Sequence, residues 1–158
     1  MNKILLNTLI LFLIIGLSGC SYKPIFVEKN YGFEIEKIIF DGERDINRII
    51  ESKLKFIKSS GNKEKKKYTI EIVSSKNKKI VSKDSKGDPL KFEINILVNY
   101  KIKDNDNLLL RNKIIKKNVY NNDSDKFKLE QTEDIILENL VENASDSIIA
   151  SIISIDDN

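Results

Sequence analysis

The first residue of chemical interest is Cys20, because it is the only cysteine in a chain of 158 residues that contains no histidine. A single thiol cannot form a disulfide within the chain or a thiolate cluster around a metal. The absence of histidine removes the commonest general base and the commonest metal ligand. If a modification consumes the thiol of Cys20, nucleophilic catalysis is left to serine, threonine, lysine and carboxylate side chains.

Cys20 follows a segment with the anatomy of a secretory signal peptide. Lys3 supplies a short positive start, and residues 4–15 are mostly apolar. The small residues Ser18 and Gly19 then precede the cysteine, where a peptidase must approach the backbone. A membrane-spanning helix needs about 20 apolar residues, and this run is shorter. The sequence therefore predicts that residues 1–19 are a cleaved leader.

The quartet Leu-Ser-Gly-Cys that ends at Cys20 resembles the bacterial lipoprotein box. In that signal the cysteine thiol is acylated, the leader is cut in front of it, and the new amine is acylated as well. The resemblance implies that Cys20 is the lipidation site, with acyl chains such as palmitate, and that residues 20–32 form a lipidated tether. Ser21 stands where an Asp would resemble the inner-membrane retention signal. The sorting resemblance therefore implies a lipid-anchored protein on the periplasmic side of the outer membrane.

Lysines crowd one predicted hairpin and the start of the last predicted helix. They either solvate and protect a sheet edge, as lysine commonly does, or form a docking surface for an anionic ligand. A phosphorylated glycolipid is one such ligand, since each ammonium group is a point charge for phosphate. The sequence leaves both interpretations open. The set consists of Lys76, Lys78, Lys79, Lys83, Lys86 and Lys91 in the hairpin, Lys113, Lys116 and Lys117 on the last strand, and Lys126 and Lys128 before the helix.

Hydrophobic periodicity predicts the elements that position these lysines. The clearest pattern is six apolar residues at alternate positions over residues 92–102, which indicates a strand with one buried face. Asp45 is the predicted N-cap of the first helix, and Gly61 its predicted end. The predicted elements are a strand over residues 33–40, a helix over 45–59, a polar loop over 62–67, three antiparallel strands beginning near residues 68, 92 and 108, and a helix over 128–153.

The order β-α-β-β-β-α predicts an α+β fold, in which a four-stranded mixed sheet carries two helices on one face. Residues 33–158 are expected to form this single domain. The polar face of the second helix carries Glu130, Glu133 and Glu138, which anionic lipid would repel. A helix that faces the core is therefore favoured over a coiled coil or a membrane-binding helix.

The composition and motifs argue against several classes of function. The net charge is only +3, so a nucleic-acid partner is not expected. The sequence has no glycine-rich phosphate loop, no G-x-S-x-G elbow and no paired metal-ligand motif. We therefore expect no enzyme, no catalytic residue, no cofactor and no metal site.

The mature chain resembles the LptE family of lipopolysaccharide-assembly lipoproteins. The lipoprotein box is followed by C-x-Y-K-P-I-F, which is similar to the start of that family's mature chains. The strand–helix–three-strand–helix order is also similar. So is the stretch from Gly87, Asp88 and Pro89 through the strand over 92–102 to a final helix rich in glutamate and isoleucine.

The resemblance implies a plug and assembly partner of the outer-membrane β-barrel LptD, which acts in lipopolysaccharide transport and binds lipopolysaccharide through basic residues. Two rival functions stay open. One is a generic envelope scaffold or barrel-assembly accessory lipoprotein without lipopolysaccharide binding, and the other is a lipid-carrying or substrate-binding lipoprotein with an internal apolar cavity. The basic positions nearest to the family's ligand contacts are Lys83, Lys86 and Lys91 near the hairpin tip, and Lys126 and Lys128 near the start of the second helix.

Overall fold

The structure, a computed structural model, describes residues 32–55 and 65–156. The predicted leader, Cys20, the tether before Gly32, the predicted helix end at Gly61 and most of the predicted polar loop lie outside the described residues. The elements are β1 (Phe33–Gly42), α1 (Arg44–Lys55), β2 (Lys66–Lys83), β3 (Pro89–Asp104), β4 (Asn107–Asn121) and α2 (Lys126–Asp156).

The four strands form one mixed sheet in the order β1-β2-β3-β4. The pair β1–β2 is parallel, whereas β2–β3 and β3–β4 are antiparallel. A parallel pair needs a crossover connection, and α1 lies in the connection between these two strands. The β-α-β-β-β-α order, the four-stranded mixed sheet and the two helices confirm the predicted α+β fold class.

Both helices pack on the same face of the sheet. Strand residues alternate between the two faces of a sheet, and the even-numbered apolar residues of β3 from Ile94 to Ile102 are all buried. They belong to one core cluster with Ile50 of α1 and Ile148 of α2. Burying such a side chain contributes about 1.5–3 kcal/mol. Ile115 of β4 is out of phase with its neighbours and is 54% exposed, as the alternation predicts.

The connection between β1 and α1 corrects one prediction. The N–H of Glu43 donates a 3.2 Å hydrogen bond to the Ser74 carbonyl, and the Glu43 carbonyl accepts from the N–H of Asn47 at 3.0 Å. Glu43 is therefore the N-cap residue, and the prediction that Asp45 caps the helix is wrong. The hydrogen bond to Ser74 of β2 places the helix cap at Glu43, two residues before the predicted cap, so Asp45 lies inside the first turn of the helix. Its carboxylate there still faces the positive end of the helix dipole.

Asp84 organises the turn between the long strands β2 and β3. Its carboxylate accepts hydrogen bonds from the N–H groups of Lys86 at 2.8 Å and Asp88 at 2.9 Å. Gly87 completes the turn with a φ of +91°, a conformation that glycine adopts at little cost. The two strands therefore run as one long hairpin that ends in a compact polar tip.

Candidate functional site

The hairpin tip and the start of α2 lie at the same end of the sheet. Lys91 of β3 pairs with Asn121, the last residue of β4. The backbone N–H of Asn122 then donates to the Leu90 carbonyl at 2.8 Å, and its side-chain amide donates to the Pro89 carbonyl at 2.8 Å. We call this end of the domain the tip end. It brings together both groups of predicted ligand-binding lysines, Lys83, Lys86 and Lys91 with Lys126 and Lys128.

These five lysines are exposed, and none makes an ion pair in the part of the chain that the structure describes. Three of their acidic neighbours accept hydrogen bonds from backbone N–H groups instead. Asp84 holds the turn, Asp123 accepts from the N–H of Asp125 at 2.9 Å, and Asp125 accepts from the N–H groups of Phe127 and Lys128 at the start of α2. The ammonium groups are therefore available to an anionic ligand.

Two other lysines of the predicted cluster are not available in this way. Lys78 points to the helix side, donates to Glu133 of α2 and lies 4.5 Å from the centre of the Phe92 ring. Lys79 lies on the opposite face and pairs with Glu93 at 2.9 Å. The structure thus separates these two paired lysines of the hairpin arms from the unpaired lysines of the tip end.

Glu133 is the centre of a polar contact between the sheet and α2. Its Oε1 accepts from Lys78 and, at 2.7 Å, from the hydroxyl of Tyr120. Burial by itself raises the pKa of Glu133, but the hydrogen bonds from Lys78 and Tyr120 outweigh it and hold the pKa below its ordinary value. Burial, reinforced by the bond to Glu133, raises the pKa of Tyr120. We call Lys78, Tyr120 and Glu133 the clamp, and sequence periodicity gave no sign of it.

The sheet face turned away from the helices carries more basic than acidic residues. We call it the open face. The strand pairing places the odd-numbered residues of β2, β3 and β4 on this face. They are the odd-numbered residues within 69–79, 91–103 and 111–121, together with Lys37, Ile39 and Asp41 of β1. Its charged members are Lys37, Lys79, Lys91, Lys101, Lys103, Arg111, Lys113 and Lys117, against Asp41, Glu71 and Glu93.

A depression of about 480 Å³ lies on this open face. Lys101 and Lys103 both donate to Glu71 at its edge, and these hydrogen bonds hold the pKa of Glu71 below its ordinary value. Arg111 and Lys113 also line the depression, and neither makes an ion pair with a described residue. The sequence placed Lys113 among the candidate lysines but did not reveal the site around Arg111, because only the strand register places Arg111 opposite Lys101 and beside Asn99.

Two other depressions lie on the surface near α1. One, of about 520 Å³, runs between the two helices past Ile49 and Leu137, and one, of about 540 Å³, lies beside Gly42 at the β1–α1 connection. Neither these nor the open-face depression is an enclosed apolar cavity between sheet and helices, which is where a lipid-carrying lipoprotein would hold its ligand.

The described residues contain neither a candidate metal site nor a candidate membrane-spanning helix. No three side chains of the histidine, cysteine, aspartate and glutamate types within residues 32–55 and 65–156 are arranged to hold a metal ion. Within the same residues, no helix combines the length and the apolar character needed to cross a membrane.

Comparison with solved structures gives the fold a family context. The crystal structure of the rare lipoprotein B from Shewanella oneidensis matches with a TM-score of 0.57 and 14% identity, over 75% of this chain and 95% of that one. The solution structure of a lipoprotein B from Nitrosomonas europaea matches with a TM-score of 0.58 and 17% identity, over 85% and 91%. A minor lipoprotein from Acinetobacter baumannii matches with a TM-score of 0.54 and 13% identity, over 77% and 93%.

Sequence comparison alone does not identify the similarity to these solved lipoproteins. No protein-family model matches the chain, and no curated protein matches it in sequence. The similarity therefore lies in the arrangement of strands and helices, and it covers nearly the whole of each solved lipoprotein chain. The resemblance to the LptE family is confirmed at the level of the fold: this chain has the fold of rare lipoprotein B, the LptE fold.

Proposed function

We propose that the chain is an outer-membrane lipoprotein that acts in lipopolysaccharide transport and outer-membrane assembly, as plug and partner of an LptD-like β-barrel. The observation that carries this proposal is the rare lipoprotein B fold in a chain whose leader ends in Leu-Ser-Gly-Cys. The solved proteins of this fold that are compared above are all lipoproteins. Acyl chains on Cys20 would hold the domain on the periplasmic side of the outer membrane.

The tip end supports binding of lipopolysaccharide. Lipid A carries phosphates, and an unpaired ammonium group binds phosphate as a point charge. The structure brings five unpaired lysines together from two distant parts of the sequence, while the neighbouring Asp84, Asp123 and Asp125 accept hydrogen bonds from backbone N–H groups. We propose that Lys83, Lys86, Lys91, Lys126 and Lys128 are the ligand-binding residues.

The distribution of charge supports the role of a plug. The lumen of a large barrel is polar, so a plug must be polar on several sides. Here the open face is basic, whereas α2 carries seven acidic residues and two lysines in all. A lipid tether would keep the plug at high effective concentration beside the barrel. These roles are binding and scaffolding, and we propose no catalytic activity.

Lipopolysaccharide binding by the purified, acylated lipoprotein in detergent tests the ligand part of the proposal. We expect the triple variant Lys83→Glu, Lys86→Glu, Lys91→Glu to bind at least about tenfold more weakly, because about 1.4 kcal/mol of phosphate contact corresponds to that factor. The matched control is Arg44→Glu, Arg48→Glu, Lys55→Glu, which makes the same charge change on exposed positions of α1. Equal binding by both triple variants would contradict the tip-end site, and no binding by the unsubstituted lipoprotein would favour the alternative, an envelope scaffold or barrel-assembly accessory without lipopolysaccharide binding.

A further inference from the structure

We propose that the open face carries a second lipid-binding site, apart from the tip end, in which Arg111 and Lys113 bind the phosphate of an anionic lipid. The site is the depression of about 480 Å³ on β2, β3 and β4. The inference rests on the proposed function in placing the domain beside a membrane, and it applies to the lipid-anchored chain that is not enclosed in a barrel.

The register of the sheet concentrates uncompensated positive charge at this site. Arg111 lies directly opposite Lys101 on the neighbouring strand. Like charges at directly opposite positions destabilise a sheet. Glu71 forms an ion pair with Lys101, but it also forms one with Lys103, so a single carboxylate neutralises part of the charge of two lysines. The charge of Arg111 is left without a described partner, and a bound anion would compensate it.

The side chains around Arg111 fit a phosphate group. A guanidinium group presents a planar fork that binds two phosphate oxygens at once. Lys113 follows two residues later on the same face, about 7 Å along the strand. Asn99 lies opposite Lys113 and also lines the depression, so its amide can donate to the same ligand. The volume of the depression is in the range of ordinary small-molecule sites.

Apolar side chains beside the cations favour a lipid over a free phosphate. Val73, in the same row as Lys113, is 46% exposed, and Ile115 on β4 is 54% exposed. Leu97 pairs with Ile115 and lies diagonal to Val73, so these three residues form a diagonal apolar strip flanked by Ser75 and Asn99. An inorganic phosphate or a purely acidic protein surface would leave this strip in water. A phosphate-bearing lipid can place its headgroup on Arg111 and Lys113 and its acyl chains along the strip.

The expected tether can bring this face to a bilayer. Gly32, the first described residue, lies twelve positions after Cys20 in the sequence. An extended chain of that length spans at most about 40 Å. The open face of a lipid-anchored domain is therefore held within reach of anionic headgroups.

An environment-sensitive fluorophore on the open face tests the proposal in the acylated lipoprotein. Acylation would consume the only natural thiol, so Ile115→Cys supplies a single free thiol for the label. Ile135→Cys is the matched control, because Ile135 is 59% exposed on α2. Each protein is reconstituted into vesicles of phosphatidylcholine mixed with phosphatidic acid, and into vesicles of phosphatidylcholine alone with or without inorganic phosphate.

We expect a blue shift and protection from an aqueous quencher for the label at residue 115, only in the vesicles with phosphatidic acid. Adding Arg111→Gln and Lys113→Gln should abolish both effects, whereas Lys83→Gln and Lys86→Gln should preserve them. A label at Val119→Cys, on the same face, repeats the measurement if the first label disturbs the strip.

Three results would overturn the proposal. The first is an unprotected label at residue 115 in every vesicle. The second is equal protection with and without phosphatidic acid, or protection that survives the Arg111 and Lys113 substitutions. The third is a response to inorganic phosphate alone, which would assign the site to a free anion. Loss of lipopolysaccharide binding in the tip variant together with any of these results leaves the proposed function standing while the open-face site fails.

Discussion

The hydroxyl of Tyr120 donates a 2.7 Å hydrogen bond to Glu133 and so joins the end of β4 to α2. Lys78 of β2 donates to the same carboxylate oxygen from the other side. The clamp therefore ties an arm of the long hairpin, the last strand and the long helix together at one atom. Its position near the tip end fixes how the two groups of candidate lysines lie relative to each other.

Removing the charge of Glu133 should destabilise the domain. Hydrogen bonds to charged groups contribute about 1.5–3 kcal/mol, and Gln keeps one acceptor oxygen, so we expect Glu133→Gln to cost about 1–2 kcal/mol in the free energy of unfolding. Glu130→Gln is the control, because Glu130 is exposed on the same helix and should change stability by less than about 0.5 kcal/mol. Urea unfolding at neutral pH measures both. Equal midpoints for the two variants would show that the clamp contributes nothing.

The contribution of the clamp should depend on pH in a defined direction. The pKa of Glu133 is held below its ordinary value near 4.5, so the folded state favours the ionised form. The stabilisation is therefore fully present above the ordinary value and is lost as the pH falls through the lower folded pKa. The difference in unfolding free energy between the wild type and Glu133→Gln should be constant from neutral pH to about pH 6 and shrink below about pH 4.5. A difference that grows on acidification would contradict this assignment.

Two glycines with similar backbone angles should respond very differently to alanine. Gly42 has a φ of +90° and Gly87 a φ of +91°. A Cβ at Gly42 would lie 1.9 Å from the Ser74 carbonyl oxygen, whereas a Cβ at Gly87 would meet nothing within 4 Å. Gly87→Ala should cost about 1–2 kcal/mol from backbone strain alone, and Gly42→Ala should cost at least about 3 kcal/mol because backbone must also shift. Similar losses in thermal unfolding would contradict the close approach of β1 and β2.

Much of the fold could be predicted from hydrophobic periodicity. The alternation over residues 92–102 indicated β3, and the helical stripe indicated α2, because each buries one regular face against the other. Periodicity fails where a strand is not held by its own apolar residues. Residues 75–80 of β2 are all exposed, yet the strand continues because it pairs with β3 through this stretch. The N-cap at Glu43 was also missed, since it depends on the distant Ser74 carbonyl.

The candidate site could be predicted only in part. The sequence indicated where lysines are concentrated, and the resemblance to the LptE family indicated which of these positions would contact a ligand. Which of them are free depends on tertiary partners such as Glu133 for Lys78 and Glu93 for Lys79. The open face was missed for the same reason, because the juxtaposition of Arg111 and Lys101 follows from register across two strands.

Asn122 should affect ligand binding without carrying a charge. Its amide and backbone tie the loop before α2 to Pro89 and Leu90 behind the hairpin tip. We expect Asn122→Ala to cost about 1 kcal/mol of stability and to weaken lipopolysaccharide binding several-fold, because the two lysine groups lose their fixed spacing. Asn118→Ala, at an exposed position of β4, is the control. Unchanged binding by Asn122→Ala would show that the two groups act independently or that only one of them binds.

Affinity purification of the acylated lipoprotein from detergent-solubilised outer membranes tests the central claim most directly. We expect a large β-barrel protein to be recovered with the chain in a fixed stoichiometric ratio, and we expect this recovery to survive substitution of the tip lysines. Recovery of the lipoprotein without any barrel partner, from membranes in which it is fully acylated, would contradict the role of a plug.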